Sequence, residues 1–291
     1  MKFIGAGRKV IDLITDSGSF TENKIGTHDF TLGYGPGAVV GVALCGGETV
    51  TLIANDAQAR NPRFKVVHSG LIGLEEAYKM AEAVYLTIEA DKDKPVGGKR
   101  PIVLIVDTPG NAPGKTEEIL GINKATVAYQ LAMSESRKKG HPSVALVVGR
   151  AISGGFLCHG LHAGIVLCLS EKFNTMVHVM PVTSIARIIK VPREFLEERA
   201  ITDPVFASGV GFAYKLGLVD VVIDDETKMK PMLIDAIGAV RNALVSGKQS
   251  DVGPEARFSA AVDRGGRKTA GMVMQKMRES AGAALRELNV L

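Results

Sequence analysis

The chain is short of the features that mark several large protein classes. Its 291 residues include only three cysteines, Cys45, Cys158 and Cys168. They show no metal-ligand spacing and leave one thiol over, so buried thiols are expected rather than a disulfide framework or a zinc site. No apolar run reaches the roughly 20 residues that span a bilayer, and Met1 to Arg8 is too weakly apolar for a secretory signal. A cytoplasmic chain without membrane insertion is therefore expected. Charge excess is also small: 35 Lys and Arg stand against 31 Asp and Glu, a formal net charge of +4. That is too little, and too dispersed, for nucleic-acid binding. The chain has no Gly-Lys-Ser/Thr phosphate loop and no His-Glu-x-x-His motif, and Gly5, Gly7, Gly33, Gly35 and Gly37 lack the strand-glycine-helix setting of a dinucleotide site.

What the chain does have is a full core, being 46% hydrophobic and 23% charged. Gly37–Leu44 and Thr49–Ala54 flank Cys45-Gly-Gly-Glu48 and read as a hairpin within an N-terminal stretch of short strands and turns. From Leu71 the spacing of Leu74, Tyr78, Ala81, Tyr85 and Ile88 predicts an amphipathic helix with those residues facing the core. A charged loop from Asp91 to Arg100 leads to a strand at Pro101–Asp107. A helix from Thr116 to Arg137 follows, and Gly140-His-Pro142 stops it before a strand at Ser143–Val148. Beyond residue 155 the pattern predicts a helix at 156–161, strands at 164–169, 174–180 and 219–223, and helices near 183–190, 193–200, 209–216 and 228–244. Alternating strands and helices indicate an α/β fold.

Residues 1–245 read as the main domain and 246–291 as a linker with a C-terminal helix. Residues 246–271 read as mobile. Met274, Met277, Ala281, Leu285 and Leu288 form a terminal apolar stripe that packs on the parent domain or serves as a subunit contact, including contact with a second copy of the chain. Arg137-Lys-Lys139 and Lys99-Arg100 are either solvated helix ends or contacts for an anionic nucleotide, a phosphopantetheine or an acidic carrier protein.

Two junctions carry the chemistry. Pro101–Asp107 runs into Thr108-Pro-Gly-Asn111, and Ser143–Val148 runs into Gly149-Arg-Ala-Ile-Ser-Gly-Gly155. Each reads as a buried strand ending in a loop with exposed backbone N–H groups, which either serves packing alone or holds a substrate oxyanion. With a helix beginning near Ser153, the amides of Gly155 and Phe156 are the expected donors. Gly154 lets a substrate oxygen approach the main chain, and the Gly110–Asn111 peptide adds a donor or bounds the pocket. A competing arrangement is nucleophilic: Ser153 attacks, His178 is its base, and Asp224 or Asp225 orients the imidazole. Ser153 is equally a helix N-cap and His178 a structural strand residue in the plainer reading. His159 and His162 read as packing or polar-face residues, and no metal site is expected.

At these residues a resemblance appears. Asp107-Thr-Pro-Gly110, a second Pro-Gly at 113–114, Glu117-Glu118, His141-Pro142, Gly149 and Ser153-Gly-Gly155 resemble the carboxyltransferase branch of the crotonase superfamily, from about Phe30 to Leu244. Lys99-Arg-Pro-Ile, Glu118–Ile122, Gly140-His-Pro142, Ser153–Gly160 and Met176–Met180 are similar within that branch to the gamma subunits of malonate decarboxylases. The resemblance implies a spiral of strand-strand-helix turns and a site shared with a homologous beta subunit. It implies removal of carboxylate from a malonyl thioester carried on the phosphopantetheine of an acyl carrier protein or on CoA. The carboxyl group is then released or passed to biotin on another subunit, with no cofactor bound covalently to this chain. Carried to this sequence, Gly155 and Phe156 are oxyanion-hole amides, and Gly110, Asn111 and Met180 line the pocket. The Clp-type peptidases share that fold and suit the Ser153–His178 alternative; a noncatalytic scaffold is a third reading.

Overall fold

Two apolar runs, Ile102–Thr108 and Ser143–Ile152, form the central strands of an eight-stranded sheet in the computed structural model, which describes residues 3–30, 33–200 and 208–287. In chain order the first elements are helix α1 (Gly7–Ile14), strands β1 (Thr21–Glu22), β2 (Lys24–Ile25), β3 (His28–Asp29), β4 (Ala38–Cys45) and β5 (Glu48–Asn55), and helix α2 (Leu74–Ala90). Next come β6 (Ile102–Thr108), α3 (Lys115–Leu120), α4 (Ile122–Lys138), β7 (Ser143–Ile152), α5 (Ser153–Cys158), β8 (Ile165–Leu169) and β9 (Met176–His178). The remainder is α6 (Val182–Ile189), α7 (Arg193–Ala200), α8 (Val210–Lys215), β10 (Val221–Ile223), α9 (Met229–Val245), α10 (Pro254–Asp263) and α11 (Ala270–Glu287).

The sheet runs β1-β4-β5-β6-β7-β8-β10, with β9 paired to the end of β7. It is antiparallel from β1 to β5 and parallel from β5 onward. Parallel strands need covering on both faces, which explains their unbroken apolar runs. Ile102, Leu104 and Val106 pack on one side with Met80, Val84 and Tyr129 from α2 and α4. Val103 and Ile105 pack on the other with Val10 and Ile14 of α1 and Leu233 and Ile237 of α9. The β4–β5 hairpin turns at Gly46 and Gly47, whose φ values of 61° and 79° match the two-residue turn that favours glycine.

Several expectations require correction. The N-terminal stretch is not strands and turns alone, because Val10, Ile11 and Ile14 form the buried stripe of α1. In α2, Tyr78 and Tyr85 lie exposed, while Glu76 and Lys79 are buried. Both polar residues find internal partners: Glu76 Oε1 accepts from Asn61 Nδ2 at 3.1 Å, and Lys79 Nζ donates to the Ala38 carbonyl at 2.8 Å. The single helix expected over 116–137 is two, broken at Gly121 with φ 95°. Within the stretch expected to be mobile, Pro254–Asp263 is helical, and Arg257, only 3% exposed, donates to the carbonyls of Leu161 and Ala163. By contrast α11 has no buried residue, and Met277 is 62% exposed, so its stripe does not pack on the parent domain; Leu288 lies outside the described residues. Lys99 is neither a solvated helix end nor an anion contact: its ammonium is buried on the carbonyls of Asp91 and Lys92. The three cysteines are buried and unpaired, and burial raises each thiol's pKa, that of Cys158 to about 12.

Burial also raises the pKa of Glu76 above its ordinary 4.5. The folded state therefore holds this proton more tightly than the unfolded state does. The resulting stabilisation is complete below about 4.5 and is lost as pH rises through the higher folded-state value. Glu76→Gln, a permanent analogue of the protonated carboxyl, is expected to gain stability over the parent as pH increases from 4 to 8. Urea midpoints across that range check it, and a difference that shrinks with pH would refute the assignment.

Candidate active site at the ends of two parallel strands

The second junction is not a loop, for β7 continues through Gly149 to Ile152 and turns directly into α5. Between Val106 and Thr108 the β6–β7 register skips: Val106 pairs with Val147, but Thr108 pairs with Ala151. The extra β7 residues wrap a buried carboxylate. Asp107, 1% exposed, accepts at Oδ1 from the Arg150 backbone N–H and from Arg150 Nε, both at 2.9 Å. Its Oδ2 accepts from Arg150 Nη2 at 3.1 Å and from the Gly5 amide at 2.6 Å. A Cβ at Gly149 would stand 2.5 Å from Asp107 Oδ1, which explains glycine there. Such a bulge redirects the chain that follows it.

That chain is the elbow. Ser153 has φ 52°, in the left-handed region that costs a non-glycine residue about 1 kcal/mol or more. It is also the first helical residue, with Ile152 as the cap, so Ser153 does not hold the N-cap position the plainer reading gave it. In this register the amides of Ser153, Gly154 and Gly155 have no intrahelical acceptor. The Phe156 amide, expected to be free, is one step too far along, opposite the Ile152 carbonyl, because the helix begins at Ser153 itself. Phe156 is buried, with its ring against Gly160.

The structure brings the two junctions into contact. A Cβ on Gly155 would lie 2.8 Å from Gly110 Cα and 2.9 Å from both Gly110 C and Thr108 Oγ1. One on Gly154 would lie 3.0 Å from Asn111 Nδ2. The Gly110 carbonyl accepts from the Ile72 amide at 3.0 Å, and the Ala112 amide donates to Ile72, so the Asn111 amide takes no part in this bridge. Gly155 therefore packs against the Gly110–Asn111 peptide, and neither the bridge to Ile72 nor the helix register engages the Asn111 or Gly155 amide.

The nucleophilic arrangement is only partly assembled. His178 pairs with Ile152 across β7 and β9, one residue from the exposed Ser153. Its Nε2 is buried with no hydrogen-bond partner, and burial holds its pKa below the ordinary imidazole value. The proposed orienting acids are engaged elsewhere: Asp224 lies 3.4 Å from Lys172 Nζ, and Asp225 accepts from the Thr227 amide and hydroxyl. His178 borders a cavity of about 430 Å³ lined also by Thr175, Met176, Pro181, Thr183 and Arg193. Met180 stands exposed after β9. A larger cavity, about 890 Å³, lies between α10 and α11, apart from both junctions. His159 is a core residue, bonded to Tyr129 Oη at 2.9 Å and the Ile105 carbonyl at 3.0 Å, and burial lowers its pKa to about 4. Among the described residues no three His, Cys, Asp or Glu side chains are grouped to hold a metal, and no helix is long and apolar enough to cross a membrane.

The sequence reading missed the Asp107–Arg150 pair and the Thr108 hydroxyl. An acid ending one parallel strand and Gly149-Arg150 ending the next were the available signal.

The malonate decarboxylase gamma subunit family profile matches residues 67–281. The chain is 54% identical over 275 residues to the Malonomonas rubra malonyl-S-ACP:biotin-protein carboxyltransferase MADD, covering 94% of each. It superposes on a chain of a Pseudomonas malonate decarboxylase hetero-tetramer in complex with coenzyme A with a TM-score of 0.76, at 27% identity, over 94% of this chain and 98% of that one. The Pseudomonas MdcD-MdcE hetero-dimer gives a TM-score of 0.65 at 32% identity, over 88% and 95%. The matched family spans both strand ends and the elbow between them, and the fold is of the crotonase type with its carboxyltransferase relatives, so the chain belongs to the malonate decarboxylase gamma subunit family.

Proposed function

We propose that this chain forms one half of an active site, completed by a homologous beta subunit, at which a malonyl thioester loses its carboxyl group. The contact between Gly155 and the Gly110–Asn111 peptide carries this reading. The bond between the carboxylate carbon and the α-carbon breaks, and its electron pair passes into the thioester enolate. The enolate oxygen sits between the Gly155 and Asn111 amides, which are fixed before substrate arrives. Protonation at the α-carbon then leaves an acetyl thioester.

The substrate carrier in this reading is the phosphopantetheine arm of an acyl carrier protein, with CoA as a simpler equivalent. Carrier-borne biotin is the acceptor of the carboxyl group: its ureido nitrogen forms the new bond to the carboxyl carbon and gives up a proton, which balances the one gained by the α-carbon. The malonyl-S-ACP:biotin-protein carboxyltransferase of Malonomonas rubra, 54% identical to this chain, supports transfer to biotin over direct release. A shared site is supported by the hetero-oligomeric Pseudomonas relatives and by the open face of this chain, where Ser153, Leu157 and Val179 are exposed, Val179 by 76%. Gly154 leaves room beside Ser153, and Met180 borders the same face. The unburied α11 serves the assembly as a subunit contact.

Hydrolysis through Ser153 and His178 is the second reading, favoured by the elbow and by the His178 register. Ser153→Ala in the assembled complex separates the two. Turnover of malonyl thioester within about threefold of the parent is expected, since no transition-state donor is removed. A loss above about 10³-fold, or covalent labelling of Ser153 by a fluorophosphonate, would instead establish the nucleophile.

A further inference from the structure

The geometry points to Thr108 as a positioning residue that fixes the direction of the Asn111 amide; this rests on the oxyanion reading above. A trans peptide directs its C=O and N–H to opposite sides, so whatever holds the Gly110 oxygen also aims the Asn111 hydrogen. Gly110 has φ 131°, a conformation that only glycine adopts with ease, and its flanking peptides are held in place by hydrogen bonds. One of these is the Ile72 amide. The other partner is Thr108, fully buried, whose hydroxyl donates to the Gly110 carbonyl at 3.1 Å and stands 3.2 Å from the Gly110 amide as its acceptor. One hydroxyl thus closes a ring with both polar groups of Gly110. The same Oγ1 stands where a Gly155 Cβ would approach to 2.9 Å, so Thr108 also sets the spacing between the two donors.

Thr108 touches no substrate in this arrangement. Its hydroxyl keeps the Gly110 oxygen turned away from the site, where an inward carbonyl would repel an enolate oxygen. Valine has the shape of threonine and suits a strand, but it lacks the hydroxyl.

The test uses the complex with its beta partner and malonyl-CoA as the probe, comparing Thr108→Val, Thr108→Ser and Gly155→Ala. Thr108→Val is expected to lower kcat about 10- to 100-fold, short of the full loss of a donor, with KM within about threefold. Thr108→Ser should recover most of the parent rate. Should the valine variant fail to assemble, Thr108→Ala carries the same expectation. Full activity in Thr108→Val beside an inactive Gly155→Ala overturns the role of Thr108 and leaves the oxyanion site standing. Full activity in both overturns the site and this inference together. Equal loss in the valine and serine variants shows that the methyl group matters rather than the hydroxyl, and also overturns it.

Discussion

Gly155→Ala is expected to lower kcat by about 10²-fold or more, the scale on which a well-placed oxyanion donor acts. The added Cβ would stand 2.8 Å from Gly110 Cα and 2.9 Å from Gly110 C, both main-chain atoms that cannot rotate away. Either α5 or the Gly110–Asn111 peptide must move, and either movement separates the two donors. Overpacking of this kind costs about 1–3 kcal/mol, which a folded chain survives. Gly154→Ala is the internal comparison. Its Cβ would meet the end of the Asn111 side chain at 3.0 Å, a group that can swing aside, so the loss should be about tenfold or less. Steady-state kinetics on the assembled complex check the pair, and equal effects at the two positions would refute the assignment of Gly155.

Asp107→Asn is expected to have the largest effect on stability, about 3–5 kcal/mol, because it leaves the largely buried Arg150 guanidinium without its counter-charge. The Arg150 side chain is 15% exposed, and the carboxylate it loses accepts four hydrogen bonds. The bulge that positions Ser153 is built around that carboxylate, so turnover should fall with stability. Urea unfolding with an unchanged m value measures the loss. A shift below about 1 kcal/mol would place the pair among ordinary surface ion pairs.

These two residues also show where the sequence could be read and where it could not. The apolar runs at 102–106 and 143–148 are legible as buried parallel strands, because only a strand covered on both faces has no polar side. The glycine turn at 46–47 and most later helices are legible for similar local reasons. Gly149-Arg150 reads as a loop since both residues are poor candidates for a buried strand. The strand continues because Asp107, 43 residues upstream in the neighbouring strand, accepts the Arg150 charge. The face of α2 misleads in the same way: Glu76 and Lys79 are polar by type, yet Asn61 and the Ala38 carbonyl receive them inside. The break at Gly121 is a single left-handed residue within an otherwise continuous helical pattern.

The candidate site was legible as a set of residues more than as an arrangement. Gly110, Asn111, Ser153, Gly154 and Gly155 do converge, since they lie at the ends of adjacent parallel strands. The sequence pattern offers Gly155 and Phe156 together as donors, and a single residue of helix register leaves only Gly155 in the first turn, because Ile152 rather than Ser153 holds the cap. Thr108 gave no signal in sequence because its partners are backbone atoms of the residue two positions away.

The most direct measurement is a crystal structure of this chain with its beta partner and a malonyl thioester analogue that cannot lose its carboxylate. The thioester oxygen is expected at about 2.7–3.1 Å from both the Gly155 and Asn111 amide nitrogens. A thioester oxygen bound away from both amides, with those N–H groups facing other parts of the protein, would contradict the account.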